Sequence, residues 1–372
     1  MPALPWTCLS SSRTIHLFAL ALPSEIPPHM DDPSRSRSPR LSHLVAGFAV
    51  VYLVWGSTFL GIKFAVETLP PFLMAACRFL LSGAILYTVL RLRGVAPPTR
   101  SQWQRGAWTG ALLLLGGNGL VTWAQQTVPS GKAALIVATT PLWMVLLSWL
   151  LYRADRPSPR VWVGLAAGFV GAALLIHPAG ETSGGTVAGF LALLAAPVCW
   201  SAGSLESRRI PPSENALLTS AMQMLAGGTL MLVAGSILGE WPVLMTREVS
   251  PRSLAALAYL TVFGGLLAFT TYAWLLRVAS PTAVSTYAYV NPLVAVLLGW
   301  LVVDEVLDSR IAVAAALILG AVVLITVRAG KREGFGKSIR IASEQGTKSE
   351  PRAREKLPVP RARPDALADV SG

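Results

Sequence analysis

Thr139 to Leu150 reads T-T-P-L-W-M-V-L-L-S-W-L, and Val290 to Leu301 reads V-N-P-L-V-A-V-L-L-G-W-L, two near-copies about 150 residues apart. Leu-rich segments match by chance, so one echo decides little. Here the echo extends upstream. Trp200 lies 145 residues after Trp55, as Arg208 does after Lys63 and Gln223 after Arg78, and Gly116 and Gly265 stand at a similar offset. Both copies lie in long apolar runs. The simplest reading is a duplication inside a membrane protein.

Composition agrees. Of the chain's residues, 53% are hydrophobic and 13% charged, where a soluble domain carries roughly a quarter charged. Mean hydropathy is +0.55, so lipid must cover surface that polar groups cannot. The net charge of +12 does not form a basic stripe interleaved with aromatics, and nucleic acid is not an expected partner. Its cations sit in short loops and at the two ends. Three cysteines (Cys8, Cys77 and Cys199) form no C-x-x-C or C-x-x-H pair, so neither a disulfide framework nor a metal site is expected.

A span needs about 20 apolar residues. Ten segments come close: 44–65, 71–91, 106–125, 131–151, 160–177, 185–205, 214–238, 253–275, 282–303 and 310–328. Only helices suit continuous apolar runs in lipid. The expected fold is therefore all-α, with ten transmembrane helices. Loops on one side carry Arg91, Arg93, Arg100, Arg105, Arg153, Arg156, Arg160, Arg208, Arg209 and Arg277; loops on the other carry Lys132, Arg247, Arg252 and Arg310. The richer side, which also takes both ends, is the cytoplasmic one. Five spans per copy is an odd number, so the second repeat enters from the opposite side. The halves, 44–178 and 184–328, form an inverted pair, an arrangement that places a site near the bilayer midplane.

The end segments are different material. Residues 329–372 are basic and poor in apolar runs, and residues 1–43 end in a basic, polar lead-in that opens at Met30; both are expected to be disordered. Ile15 to Leu22 is an apolar run long enough for a weak signal-peptide core but too short to span; the favoured reading is that residues 1–29 are upstream sequence included by choice of start codon. Gly336-Lys337-Ser338 resembles the end of a phosphate loop, but the upstream Gly330 is one residue too far and no strand precedes it. No cofactor is implied, and no hydrolytic motif points to an enzyme.

Candidate residues cluster beside matched prolines. Pro141 and Pro292 each remove a backbone donor and free a carbonyl four residues back, on Val137 and Ala288. Interrupted helices at equivalent places in two halves point to a transport site, which nominates Thr139, Thr140, Tyr289 and Asn291. Arg78 lies seven residues past Pro71, roughly 10 Å along a helix at 1.5 Å per residue, too deep for easy snorkelling. Its plain alternative is a bond to neighbouring carbonyls. Lys63, Trp55, Asn118, Trp200, Gln223 and Tyr272 complete the expected cavity lining, although belts of interfacial aromatics explain Trp residues equally well. Glu305 reads either as a capping or interfacial carboxylate or as a candidate for proton coupling.

Trp55-Gly56-Ser57-Thr58-Phe59 with Lys63, then Pro70-Pro71 and Arg78, resembles the opening of an EamA-type domain of the drug/metabolite transporter superfamily. Gly117-Asn118-Gly119, Val128-Pro129-Ser130-Gly131 and Tyr289-Val290-Asn291-Pro292 with Glu305 extend the resemblance over residues 44–328. It implies two tandem domains of five helices, both ends cytoplasmic, and movement of a small metabolite, often export. Members of such a family carry amino acids, purines, sugars and drugs, so the resemblance is poor for substrate; the expected function is movement of an amino acid, amine or related compound, or drug across the inner membrane by alternating access, with a proton as candidate coupling ion. Oligomeric state stays open. One departure is that the first copy has Arg153-Ala154 where the second has Asp304-Glu305. The alternative is a membrane scaffold or sensor that keeps the fold and recruits partners with its basic tail.

Overall fold

A computed structural model describes residues 41–152, 156–176, 185–211, 214–279 and 286–324, all in helices, turns and short connections. The first half holds α1 (Leu41–Ala65), α2 (Pro71–Leu92), α3 (Arg100–Gly110), a π-helical segment π1 (Ala111–Gly119), α4 (Leu120–Ala124), α5 (Ser130–Val137), α6 (Thr140–Tyr152) and α7 (Pro159–Ile176). The second holds α8 (Val187–Ser207), α9 (Ala216–Ile237), α10 (Glu240–Thr246), α11 (Pro251–Tyr259), π2 (Leu260–Leu267), α12 (Ala268–Val278) and α13 (Tyr287–Val303). A last apolar helix, α14, covers Ser309–Leu324.

Six of the described helical stretches are long and apolar enough to span a membrane, and three shorter apolar helices accompany them. The expectation of ten is thus met in its helical character and its repeats rather than in a full count. The third expected segment is divided among α3, π1 and α4. A short helix, α10, also stands where a loop was expected. The expected disordered tails lie outside the described residues, apart from Leu41 to His43, which already belong to α1.

Local chemistry sets the helix starts. Thr99 and Gln102 form a reciprocal capping box at α3, and the Thr186 hydroxyl accepts from the Gly189 amide at α8. Asn215 accepts from Leu217 and Leu218 at α9, and the Ser250 hydroxyl accepts from Ser253 at α11. Each satisfies backbone donors that a helix end would otherwise leave open. Pro71 and Pro251 occupy first-turn positions, where a missing N–H costs nothing.

The two π segments fall at equivalent places in the halves, and Gly116 and Gly265 are their paired residues. They are wider turns of a kind that recurs at functional positions, and nothing in apolar periodicity announced them.

Packing follows small residues. α9 lies between α2 and α3, and a Cβ on Gly110 would stand 2.6 Å from the Gln223 carbonyl oxygen. That neighbour is backbone and cannot rotate away. Gly110→Ala should therefore part α3 from α9 and cost about 1–3 kcal/mol of stability. A lowered unfolding temperature in detergent would show it; an unchanged one would refute the close approach. Outward-facing Leu53, Leu81, Val170 and Leu191 remain exposed, as lipid contact requires.

Candidate functional site

A cavity of about 640 Å³ opens between the two halves. From the first half it takes Trp55, Thr58 and Phe59 of α1, Arg78 of α2, Asn118 of π1, and Thr140 and Pro141 of α6; from the second it takes Trp200 of α8, Phe269 of α12, and Tyr287, Asn291 and Pro292 of α13. Repeat partners Trp55 and Trp200 thus reach one space from opposite halves. At its far end the lining runs to Ser148 and to the exposed Arg208, toward the arginine-rich helix ends.

The structure separates the residues expected to line a site. Trp55, Arg78, Asn118, Thr140, Pro141, Trp200, Asn291 and Pro292 are brought together. Thr139 is buried beside the break and donates to the Ile136 carbonyl. Gln223 donates to Thr109 and Ser207, so it ties α9 to α3 and α8. Tyr272 stands behind the wall, its ring 4.9 Å from Trp55 and 5.9 Å from Tyr287. The side chain of Tyr289 lies outside the described residues, as do Arg153 and Ala154. Lys63 and Glu305 lie off the cavity and meet each other. Sequence reasoning passed over Tyr287, Phe269 and Arg208. Arg208 had a signal, since it is the repeat partner of Lys63.

The paired prolines behave differently. α5 and α6 break at Ala138–Thr139, where the freed Val137 carbonyl accepts from the Thr140 hydroxyl at 2.6 Å. Ser201 of α8 donates to the Thr140 carbonyl. Pro292 lies within a continuous α13, so one interrupted helix and one proline-bearing helix face each other. Asn291, with its amide turned to meet acceptors, donates to the Tyr287 and Tyr52 carbonyls.

Arg78 is 3% exposed, and its Nε is buried with no hydrogen-bond partner. Its guanidinium carbon stands 4.7 Å from the Phe79 ring centroid. No ion pair reaches it among the described residues. A Cβ on Gly264 would lie 2.9 Å from Nη2 and 3.0 Å from Thr58 Cγ2, so the missing side chain on π2 makes room for the guanidinium. Among the described residues, no hydrogen bond from Nε to a neighbouring carbonyl supports the plain alternative.

At the opposite end of the bundle, bonds join the two halves. Lys63 Nζ lies 2.8 Å from Glu305 Oε1. The same oxygen accepts from the Ser130 amide at 2.7 Å and its hydroxyl at 2.8 Å, and Oε2 accepts from the Gly131 amide at 2.9 Å. One carboxylate from the second half thus joins the end of α1 to the start of α5. Its aim comes from Asp304, whose φ of 52° turns the chain over the end of α13 and lets the Glu305 amide bond the Gly299 carbonyl. Glu305 lies beyond α13; burial opposes its charge, but the bonds from Lys63, Gly131 and Ser130 hold its pKa below the ordinary carboxylate value. It caps a helix, but one in the other half.

More links join the halves at this end. Glu240 accepts from the Phe72 and Leu73 amides at the start of α2, the Ser250 amide donates to Thr68, and Ser253 donates to the Phe64 carbonyl. At the arginine-rich end, Arg105 pairs with Glu214.

The EamA-like transporter family profile matches residues 44–177 and 187–327. The chain belongs to this family. Among its relatives, the inner membrane transporter YedA of Escherichia coli is 38% identical over 289 residues, covering 77% of this chain and 92% of that protein. The protein PecM of Dickeya dadantii is 27% identical, over 73% and 88% of the two chains. A transporter of Archaeoglobus fulgidus is 26% identical, over 77% and 98%. A solved crystal structure aligns over 79% of this chain and 99% of its own with a TM-score of 0.54 and 25% identity. As an EamA-like chain it is a multi-pass inner membrane transporter.

Proposed function

We propose that this protein is a secondary transporter that carries a small metabolite through the cavity by alternating access, with export as its direction. Its ten spans form two inverted five-helix repeats with both ends cytoplasmic. The observation that supports this reading best is the asymmetry of the cavity. It is built from both halves, reaches toward the arginine-rich ends, and is closed opposite by bonds that cross between halves. The described conformation is then the inward-facing one, and outward opening requires Glu305 to leave Lys63 and the start of α5.

Candidate cavity residues take distinct roles. Asn118, Thr140 and Asn291 offer polar atoms to a substrate, Trp55 and Trp200 offer faces, and Pro141 and Pro292 shape the helices that carry them. A proton, if one couples transport, is taken by Glu305 only after the outer bonds break, because these bonds hold its charged form.

Purified protein in liposomes, tested for flux over amino acids, organic acids and amines, checks the function. Flux equal to empty liposomes across the panel would overturn it. Orientation is checked separately: a reporter fused after Gly185 should read periplasmic and one after Arg209 cytoplasmic. Both on one side would refute the inverted repeat.

A further inference from the structure

We infer that the cavity selects organic anions: compounds with one carboxylate on a flat apolar body, rather than the amines and cationic drugs that the transporter class alone leaves open. The inference rests on the cavity being the transport site and narrows what it accepts. Charge comes first. Arg78 and Arg208 line the space, and among the described residues no carboxylate does. Arg78 is 3% exposed and has a buried Nε without a partner. A buried unpaired charge is costly, and an anion that accepts from it removes the cost. A cationic guest would meet the two arginines as like charges, which selects against it.

Shape supplies the rest. Trp55 meets Phe269 at 5.5 Å and Tyr287 at 5.3 Å, both nearly edge-on. Edge-on packing fixes these rings as a wall while leaving faces for a flat guest. A volume of about 640 Å³ lies within the ordinary range for small-molecule sites. Arg208, exposed at the arginine-rich end of the lining, adds attraction at the entry.

The test is equilibrium binding to purified protein, read by tryptophan fluorescence, using isosteres of one skeleton. 3-Phenylpropionate is the anion, 3-phenylpropylamine the cation, 3-phenylpropanol the neutral form and phenylalanine the zwitterion. The anion should bind at least about tenfold more tightly than the cation, the equivalent of one charge-assisted contact. The neutral form and the zwitterion should fall between. Arg78→Gln should cut the anion preference about tenfold, and Arg208→Gln should cut it less. Should Arg78→Gln fail to fold, the wild-type charge series still decides. Equal binding of amine and carboxylate, or tighter binding of the zwitterion than the anion, would overturn the inference. Because binding is read without transport, an anion that binds through Arg78 but is not carried would sink the transport reading alone.

Discussion

Replacing Glu305 with alanine should release the outer end of the bundle and slow net transport by an order of magnitude or more. The carboxylate occupies four donors at once: Lys63 Nζ, both groups of Ser130 and the Gly131 amide. Removing one partner of a fully buried ion pair costs about 3–5 kcal/mol. Lys63 is 28% exposed at its side chain, so water recovers part of that, and about 2–3 kcal/mol is the expected loss of closure. That is roughly thirtyfold or more in the closed-to-open ratio. Maleimide labelling reads it directly, with a single cysteine at Val296, which packs against Gly131, after Cys8, Cys77 and Cys199 are replaced. Labelling from the outer face should accelerate while liposome flux falls. Unchanged labelling and flux would rule out Glu305 as the latch. Glu305→Gln keeps an acceptor but loses the charge, and should fall between.

Acid has a defined sign at the same site. Burial opposes the charge of Glu305 in the closed state, but the bonds from Lys63, Gly131 and Ser130 together hold its pKa below 4.5, the ordinary value. A group depressed in this way contributes closure above its ordinary value and loses it as pH falls through the lowered one. Labelling at Val296 should therefore stay flat from neutral to mildly acidic pH and rise only below about 4.5. A rise between pH 8 and 6 would place another titrating group in control.

Much of this architecture was legible because lipid removes alternatives. Apolar runs of span length can only be helices, and an echo of T-T-P-L-W-M-V-L-L-S-W-L in the second half marks a repeat whatever the substrate. The burial of Arg78 was legible for a related reason, since seven residues past Pro71 is too deep for easy snorkelling. Lys63 misled. Its position near a helix end fitted a cavity as well as an interface, and only the fold shows that Glu305, 242 residues away, claims its ammonium. Such pairings follow from which helix ends meet, which hydropathy does not encode. The π segments were invisible for another reason: their apolar composition equals that of the α-helix they interrupt, and the wider turn is set by what packs across it. Tyr287 and Phe269 were missed because aromatic residues in membrane helices usually face lipid or the interface, and nothing local marks the ones that face inward.

The widened turn of π2 carries the sharpest contrast, because adjacent glycines meet α2 in different ways. A Cβ on Gly265 would fall 2.2 Å from Ser82 Oγ and 2.9 Å from Ser82 Cβ. Ser82 is short, fully buried and already bonded to the Arg78 and Thr261 carbonyls, so it cannot move aside. Gly265→Ala should push α2 from π2 and cost about 1–3 kcal/mol of stability. A Cβ on Gly264 would instead meet Arg78 Nη2, the far end of a long side chain, at 2.9 Å. The guanidinium can swing away, so the fold should survive, but its aim into the cavity should not. Gly264→Ala should thus leave the unfolding temperature in detergent within a degree or two while weakening the affinity for a carboxylate about tenfold, the scale of one charge-assisted hydrogen bond. Amine binding should be unaffected. Were Gly264→Ala to destabilise the protein as much as Gly265→Ala, Arg78 would be a strut between helices rather than a substrate contact. Wild-type carboxylate binding in a stable Gly264→Ala protein would remove the guanidinium from the site altogether.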